Sequence, residues 1–210
     1  MAKILSGLGR AGMGRVFDPI ARALLRAHIS PDAVTVAGTV GVVAAAIWFG
    51  ARGHLVAGAF VVTLFTFTDL VDGSMARQSG RTGRFGAFLD STMDRVADGA
   101  VFGSVAYWLA TQGRHSALVA ALICLVSGQV VSYAKARAEG LGMTANVGVA
   151  ERFERLLLVG LGGLATGFGW RYGIDVALWL LAVLSVLTVG QRVIHVRRQD
   201  RERQERGGAP

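Results

Sequence analysis

The stretch TDLVDGSMARQSGRTGRFGAFLDSTMD, residues 68–94, decides how the chain is read, because it sets Asp69, Asp72, Asp90 and Asp94 between long apolar runs. On a helix Asp69 and Asp72, three apart, share a face; Asp90 and Asp94, four apart, do likewise. A turn through Ser79-Gly80-Arg81-Thr82-Gly83-Arg84 folds the stretch into a helical hairpin and brings the two pairs together. Working outward, the flanks are oily: the 210 residues are 52% hydrophobic and 17% charged, with a mean hydropathy of +0.48. That composition belongs in a bilayer rather than in water.

Six apolar stretches are each long enough for a span of about 20 residues: 33–51, 55–76, 86–111, 116–138, 152–170 and 173–195. Short connectors such as 51–54 and 111–115 imply antiparallel neighbours. The expected fold class is therefore an all-α integral membrane protein. It is one domain over 1–210, with an interfacial helix at 10–29, a six-helix bundle at 33–195 and a polar, frayed or disordered tail at 197–210. The interfacial helix is read from Val16, Phe17, Ile20, Ala21, Leu24, Leu25 and His28 on one face and Arg15, Asp18, Arg22 and Arg26 on the other. Ser30-Pro31 suits an N-cap followed by a first helical residue. The N-terminus lacks a continuous apolar signal core, so insertion is expected to rely on the first span.

The formal charge of +8 raises the question of nucleic acid, but the basic residues sit between the apolar runs. They point instead to topology and to anionic lipid heads. Lys and Arg concentrate in the two termini, the 77–84 loop and the region from Lys135 to Arg155, whereas Arg52, Arg114 and Arg171 lie on the other side. The positive-inside rule then places both termini and the acidic hairpin in the cytoplasm. Trp48, Tyr107, Trp108, Trp170 and Tyr172 gather at the opposite span ends, as an outer aromatic belt would. The sole cysteine, Cys124, lies in an apolar run and reads as a small buried hydrophobe, with no disulfide framework. His28, His54, His115 and His195 lack ligand spacing.

Four carboxylates at membrane depth repel one another unless a cation neutralises them. Oxygen donors without His or Cys favour Mg²⁺ or a similar ion such as Mn²⁺, and four are enough to share two ions. Gly73, Ala76 and Gly86 leave room for a bulky group, and Arg77 with the 79–84 loop supplies cationic and amide donors. Metal, glycine and guanidinium together suggest a diphosphate.

The run Asp69-Leu-Val-Asp72-Gly73-Ser-Met-Ala76-Arg77, eight residues, then Gly86-Ala-Phe-Leu-Asp90-Ser-Thr-Met-Asp94 resembles the complete signature of the CDP-alcohol phosphotransferases. Eight fixed positions at fixed spacing are far more specific than a lone glycine motif. The resemblance implies transfer of a phosphatidyl group from CDP-diacylglycerol to an alcohol, with CMP leaving, by a homodimer. It implies that Asp69, Asp72 and Asp90 are metal ligands and that Asp94 is the general base, touching the second metal. It also implies CDP-diacylglycerol contacts from Gly73, Arg77, Gly83 and the segment Asp32, Ala33, Val34 and Thr35.

The segments Ser132-Tyr-Ala-Lys135-Ala-Arg137-Ala-Glu139 and Glu151-Arg152-Phe-Glu-Arg155 resemble the actinobacterial phosphatidylinositol phosphate synthases. That implies an acceptor that is itself phosphorylated, inositol 1-phosphate, with Ser132, Lys135, Arg155 and Arg192 at its phosphate. Glycerol 3-phosphate, as in phosphatidylglycerophosphate synthases, is the nearest alternative. For these cations the bland reading is topology alone. A divalent-cation transporter would also need intramembrane carboxylates, but would line a path across the bilayer with them. Here they gather on the cytoplasmic side. Asp98 is read as a structural partner of Arg95.

Overall fold

The structure is a computed structural model that describes residues 17–80 and 83–207. Among the described residues every regular element is helical: α1 (17–26), α2 (Pro31–Ala45) with a π turn Ala46–Gly50, α3 (Leu55–Thr66), α4 (Thr68–Ser79), α5 (Arg84–Thr111), α6 (His115–Gly140), α7 (Arg152–Gly167) and α8 (Gly173–Gly207). Four stretches are long and apolar enough to cross a membrane: Pro31–Gly50, Leu55–Ser79, His115–Gly140 and Gly173–Glu205. The other two expected spans, 86–111 and 152–170, are helices of a different character. α5 is about 42 Å long at 1.5 Å per residue, but Asp90, Asp94, Arg95 and Asp98 charge it from its second turn to its middle. α7, at 16 residues, reaches only about 24 Å and opens on Arg152, Glu154 and Arg155.

The chain forms two units by its internal contacts. The first holds the described residues up to Trp48 with Phe60–Val101; the second holds Phe49–Ala59 with the described residues from Phe102 onward.

In the first unit, α2 packs on α4. Gly38 makes this approach possible: a Cβ there would lie 1.9 Å from Thr68 Oγ1, so only glycine lets the backbones close up. Ser30 caps α2 by accepting from Ala33 N at 3.2 Å, with Pro31 in the first turn, as the sequence predicts. The expected span 55–76 is interrupted at Phe67, where Leu70 N bonds Phe67 O in a tightened turn. Of the expected interfacial helix, residues 10–16 lie outside the described residues. α1 ends on His28 at φ 59, with Ile29 N bonded to Leu24 O and His28 N to Leu25 O, a Schellman ending without glycine. Its apolar face is partly covered by protein rather than lipid: Ala21 is fully buried with Val71 and Met75 of α4, and Phe17, Leu24 and Leu25 pack around them. Polar atoms fix the same seam, since Asp18 Oδ1 accepts from Ser74 Oγ at 2.5 Å and from Gln78 Nε2 at 3.4 Å.

The second unit is built on α6 and α7 packed against α8. Cys124 is buried, as expected, and its Sγ donates to Leu178 O at 3.3 Å. The expectation of a frayed or disordered tail from 197 is corrected: α8 stays helical to Gly207, and 208–210 lie outside the described residues. Side-chain bonds to the α6–α7 connection stabilise the extension. The Gln199 amide makes two hydrogen bonds with the Thr144 backbone, its Nε2 donating to Thr144 O at 2.6 Å and its Oε1 accepting from Thr144 N at 3.0 Å, and Arg203 donates to Gly142 O. Higher up, Thr188 Oγ1 accepts from Val149 N at 3.2 Å and Ala150 N at 3.0 Å. One face of α8, from Thr188 to Arg203, thus holds this connection in place.

Candidate active site

The first cluster lies on α2, α4 and α5 of the first unit. Asp72 is 7% exposed, and its Oδ2 accepts from Thr35 Oγ1 at 2.5 Å. Thr35 also donates to Pro31 O at 3.2 Å, so the hydroxyl is shared between its own helix and the carboxylate. Asp69 and Asp90 lie within electrostatic reach of Asp72. Asp69 is half-buried, Asp90 exposed and Asp94 half-buried on α5. Arg95 Nη2 stands 3.8 Å from Asp94, and Arg95 Nη1 donates to the buried Asp98 at 3.0 Å, the pairing expected for Asp98.

Two short residues open the space beside these acids. A Cβ on Gly73 would meet Arg77 Nη1 at 3.5 Å, so the guanidinium folds back over the glycine. A Cβ on Gly86 would meet Asp32 Oδ1 at 3.7 Å, which brings the start of α2 to the start of α5. Of the remaining residues expected at the nucleotide, Gly83 and Ala33 are exposed, and the Val34 side chain packs into the Ala21–Val71–Met75 core. Arg81 and Thr82 lie outside the described residues.

The donor set, all carboxylate oxygen with one hydroxyl behind it, suits a hard divalent cation. Among the described residues no three Asp, Glu, His or Cys side chains stand close enough to hold one as they are. The Asp72 carboxylate is held in place by the Thr35 hydroxyl. The Thr35 support was invisible in sequence, because 37 residues separate the partners and no local spacing relates them.

The second cluster belongs to the second unit. It brings three of the four expected acceptor residues onto a single stretch of α6. Arg155, 1% exposed, reaches from α7 and donates from Nη1 to Gly128 O at 3.0 Å. The same carbonyl accepts from Ser132 Oγ at 3.3 Å. Arg192, 3% exposed, reaches from α8 and donates from Nη1 to Val131 O at 2.5 Å and from Nε to Val147 O at 2.9 Å. Glu151, at the N-cap of α7, stands 3.4 Å from Arg192 Nη2. Lys135, half-buried, is one turn beyond Val131. Two guanidiniums are thus carried below the surface on backbone carbonyls, with the Glu151 carboxylate beside that of Arg192. The Glu151 partner has no signal in the sequence, because 41 residues separate it from Arg192.

The chain matches the family model "CDP-alcohol phosphatidyltransferase" over residues 28–194. It is 49% identical over 210 residues to a phosphatidylinositol phosphate synthase of Streptomyces avermitilis, covering 95% of this chain and 85% of that one. Its structure is similar to that of the Mycobacterium tuberculosis phosphatidylinositol phosphate synthase with CDP-DAG bound, at TM-score 0.84 and 47% identity over 87% of this chain and 94% of the other. The same enzyme in complex with manganese and citrate matches at TM-score 0.83 and 46% identity, over 86% and 88%. By its acidic hairpin signature, its helical fold and these matches, the chain belongs to the CDP-alcohol phosphatidyltransferase family.

Proposed function

We propose that the chain is a metal-dependent phosphatidylinositol phosphate synthase of the plasma membrane. It transfers the phosphatidyl group of CDP-diacylglycerol to inositol 1-phosphate and releases CMP. The observation that carries the choice of acceptor is the convergence of buried Arg155 and Arg192 on the α6 stretch bearing Ser132 and Lys135. A phosphorylated alcohol needs such fixed positive charge, whereas a neutral polyol does not.

Asp69, Asp72, Asp90 and Asp94 would hold two Mg²⁺ ions, with Mn²⁺ able to replace them, and metal bound there would supply positive charge to the diphosphate and the departing CMP. Asp94 takes the proton of the attacking hydroxyl. That oxygen forms a new bond to the phosphorus bearing the diacylglycerol, and the bond from this phosphorus to CMP breaks. Gly73, Arg77, Gly83 and the 32–35 segment bind the nucleotide end of the donor. Ser132, Lys135, Arg155 and Arg192 bind the acceptor's phosphate. The enzyme works as a homodimer among membrane lipids, with six spans that include α5 and α7, and with its termini and acids at the cytoplasmic face. Trp48, Tyr107, Trp170 and Tyr172 are exposed, as residues of an aromatic belt are.

The test is CMP release by purified protein with CDP-diacylglycerol and Mg²⁺, comparing inositol 1-phosphate, glycerol 3-phosphate and free inositol. Release with inositol 1-phosphate alone is expected. Release with glycerol 3-phosphate alone would keep the reaction and overturn the acceptor.

A further inference from the structure

Gly128 stands in the middle of α6, where a helix has no backbone need of glycine and loses stability by carrying one. Its surroundings give the reason. A Cβ built there would lie 2.7 Å from Arg155 Cζ, 2.7 Å from Nη1 and 2.9 Å from Nη2. Three nearly equal distances mean that the plane of the guanidinium, not its edge, faces the missing side chain. The Phe102 ring lies 5.9 Å from the same Cζ, and Gly128 O accepts both Arg155 Nη1 and Ser132 Oγ.

We propose that Gly128 is a positioning residue for the acceptor phosphate, supplying both the bare floor and the carbonyl that set the Arg155 guanidinium. The inference rests on the reading of Arg155 as a phosphate-binding residue. A methyl group at 128 displaces the far end of a flexible side chain rather than backbone, so the fold absorbs it. The acceptor site does not, because a phosphate clamp depends on the direction of its N–H donors.

The experiment compares Gly128→Ala with Gly160→Ala, a helical glycine with nothing within 4 Å of its would-be Cβ. Steady-state CMP release gives KM for inositol 1-phosphate and for CDP-diacylglycerol, and thermal unfolding in detergent gives stability. Gly128→Ala is expected to raise the acceptor KM roughly 10- to 100-fold, with the donor KM within about twofold and the unfolding temperature not lowered. Gly160→Ala changes neither constant. In an Arg155→Ala background the further change from Gly128→Ala disappears, since its route runs through the guanidinium. An unchanged acceptor KM, an equal rise for both substrates, or an effect that persists without Arg155 overturns the proposal. Arg155→Ala alone leaving the acceptor KM unmoved would instead sink the underlying reading, and the inference with it. Should glycerol 3-phosphate prove the acceptor, the same comparison run with it decides the role of Gly128 separately from the acceptor's identity.

Discussion

Replacing Thr188 by valine keeps the shape of a fully buried side chain and removes one oxygen. That oxygen accepts from Val149 N and Ala150 N, at 3.2 and 3.0 Å, and donates to Leu184 O at 2.8 Å. The Leu184 carbonyl keeps its helical partner, so the loss falls on the two N–H groups. Ala150 has no exposed surface, and a buried N–H left without an acceptor costs about 1–3 kcal/mol. Val149 is 49% exposed, so water relieves its amide and it adds less. Serine keeps the hydroxyl but loses the γ-methyl that sits 2.4 Å from the Cβ position of Gly148, worth about 0.8 kcal/mol as one buried carbon. The expected order of stability is therefore wild type, then Thr188→Ser, then Thr188→Val. Hydrogen exchange of the Val149 and Ala150 amides in detergent reads this locally, and thermal unfolding reads it globally. A valine variant as protected as wild type, or a serine variant weaker than valine, would refute the claim that α8 holds the entrance to α7 through this hydroxyl.

Asp94→Asn is expected to lower the rate of CMP release roughly 10²- to 10⁴-fold while leaving CDP-diacylglycerol binding measurable by calorimetry; retained turnover would remove Asp94 from the role of base. Thr35→Val deletes the bond to Asp72, and loss of such an outer support is expected to weaken Mn²⁺ affinity about 10- to 100-fold, followed by electron paramagnetic resonance. Identical Mn²⁺ titrations for variant and wild type would mean that Thr35 does not orient the carboxylate. Chelation should abolish CMP release, and Mg²⁺ or Mn²⁺ should restore it; activity that survives thorough chelation contradicts the hard-cation reading. Gln199→Ala should speed exchange at the Thr144 amide without altering turnover, and slow exchange there would show that the α8 extension is held by something else.

Much of this protein was open to reading from its sequence alone. The spacing of Asp69, Asp72, Asp90 and Asp94, the glycines beside them and the apolar runs around them are local patterns, and helical geometry converts such patterns directly into shared faces. Ser30-Pro31 likewise announced the start of α2. Tertiary structure decided the rest, because the relevant partners are far apart in the chain. No spacing rule joins Thr35 to Asp72, Arg155 to the carbonyl of Gly128, or Arg192 to that of Val131. The polar segment after Arg197 reads as a loose tail by composition, yet it stays helical because Gln199 and Arg203 meet the backbone of 142–144. Local chemistry specified which groups the chain carries; long-range packing determined which of them are held still, since only packing supplies a distant carbonyl or hydroxyl at hydrogen-bonding distance.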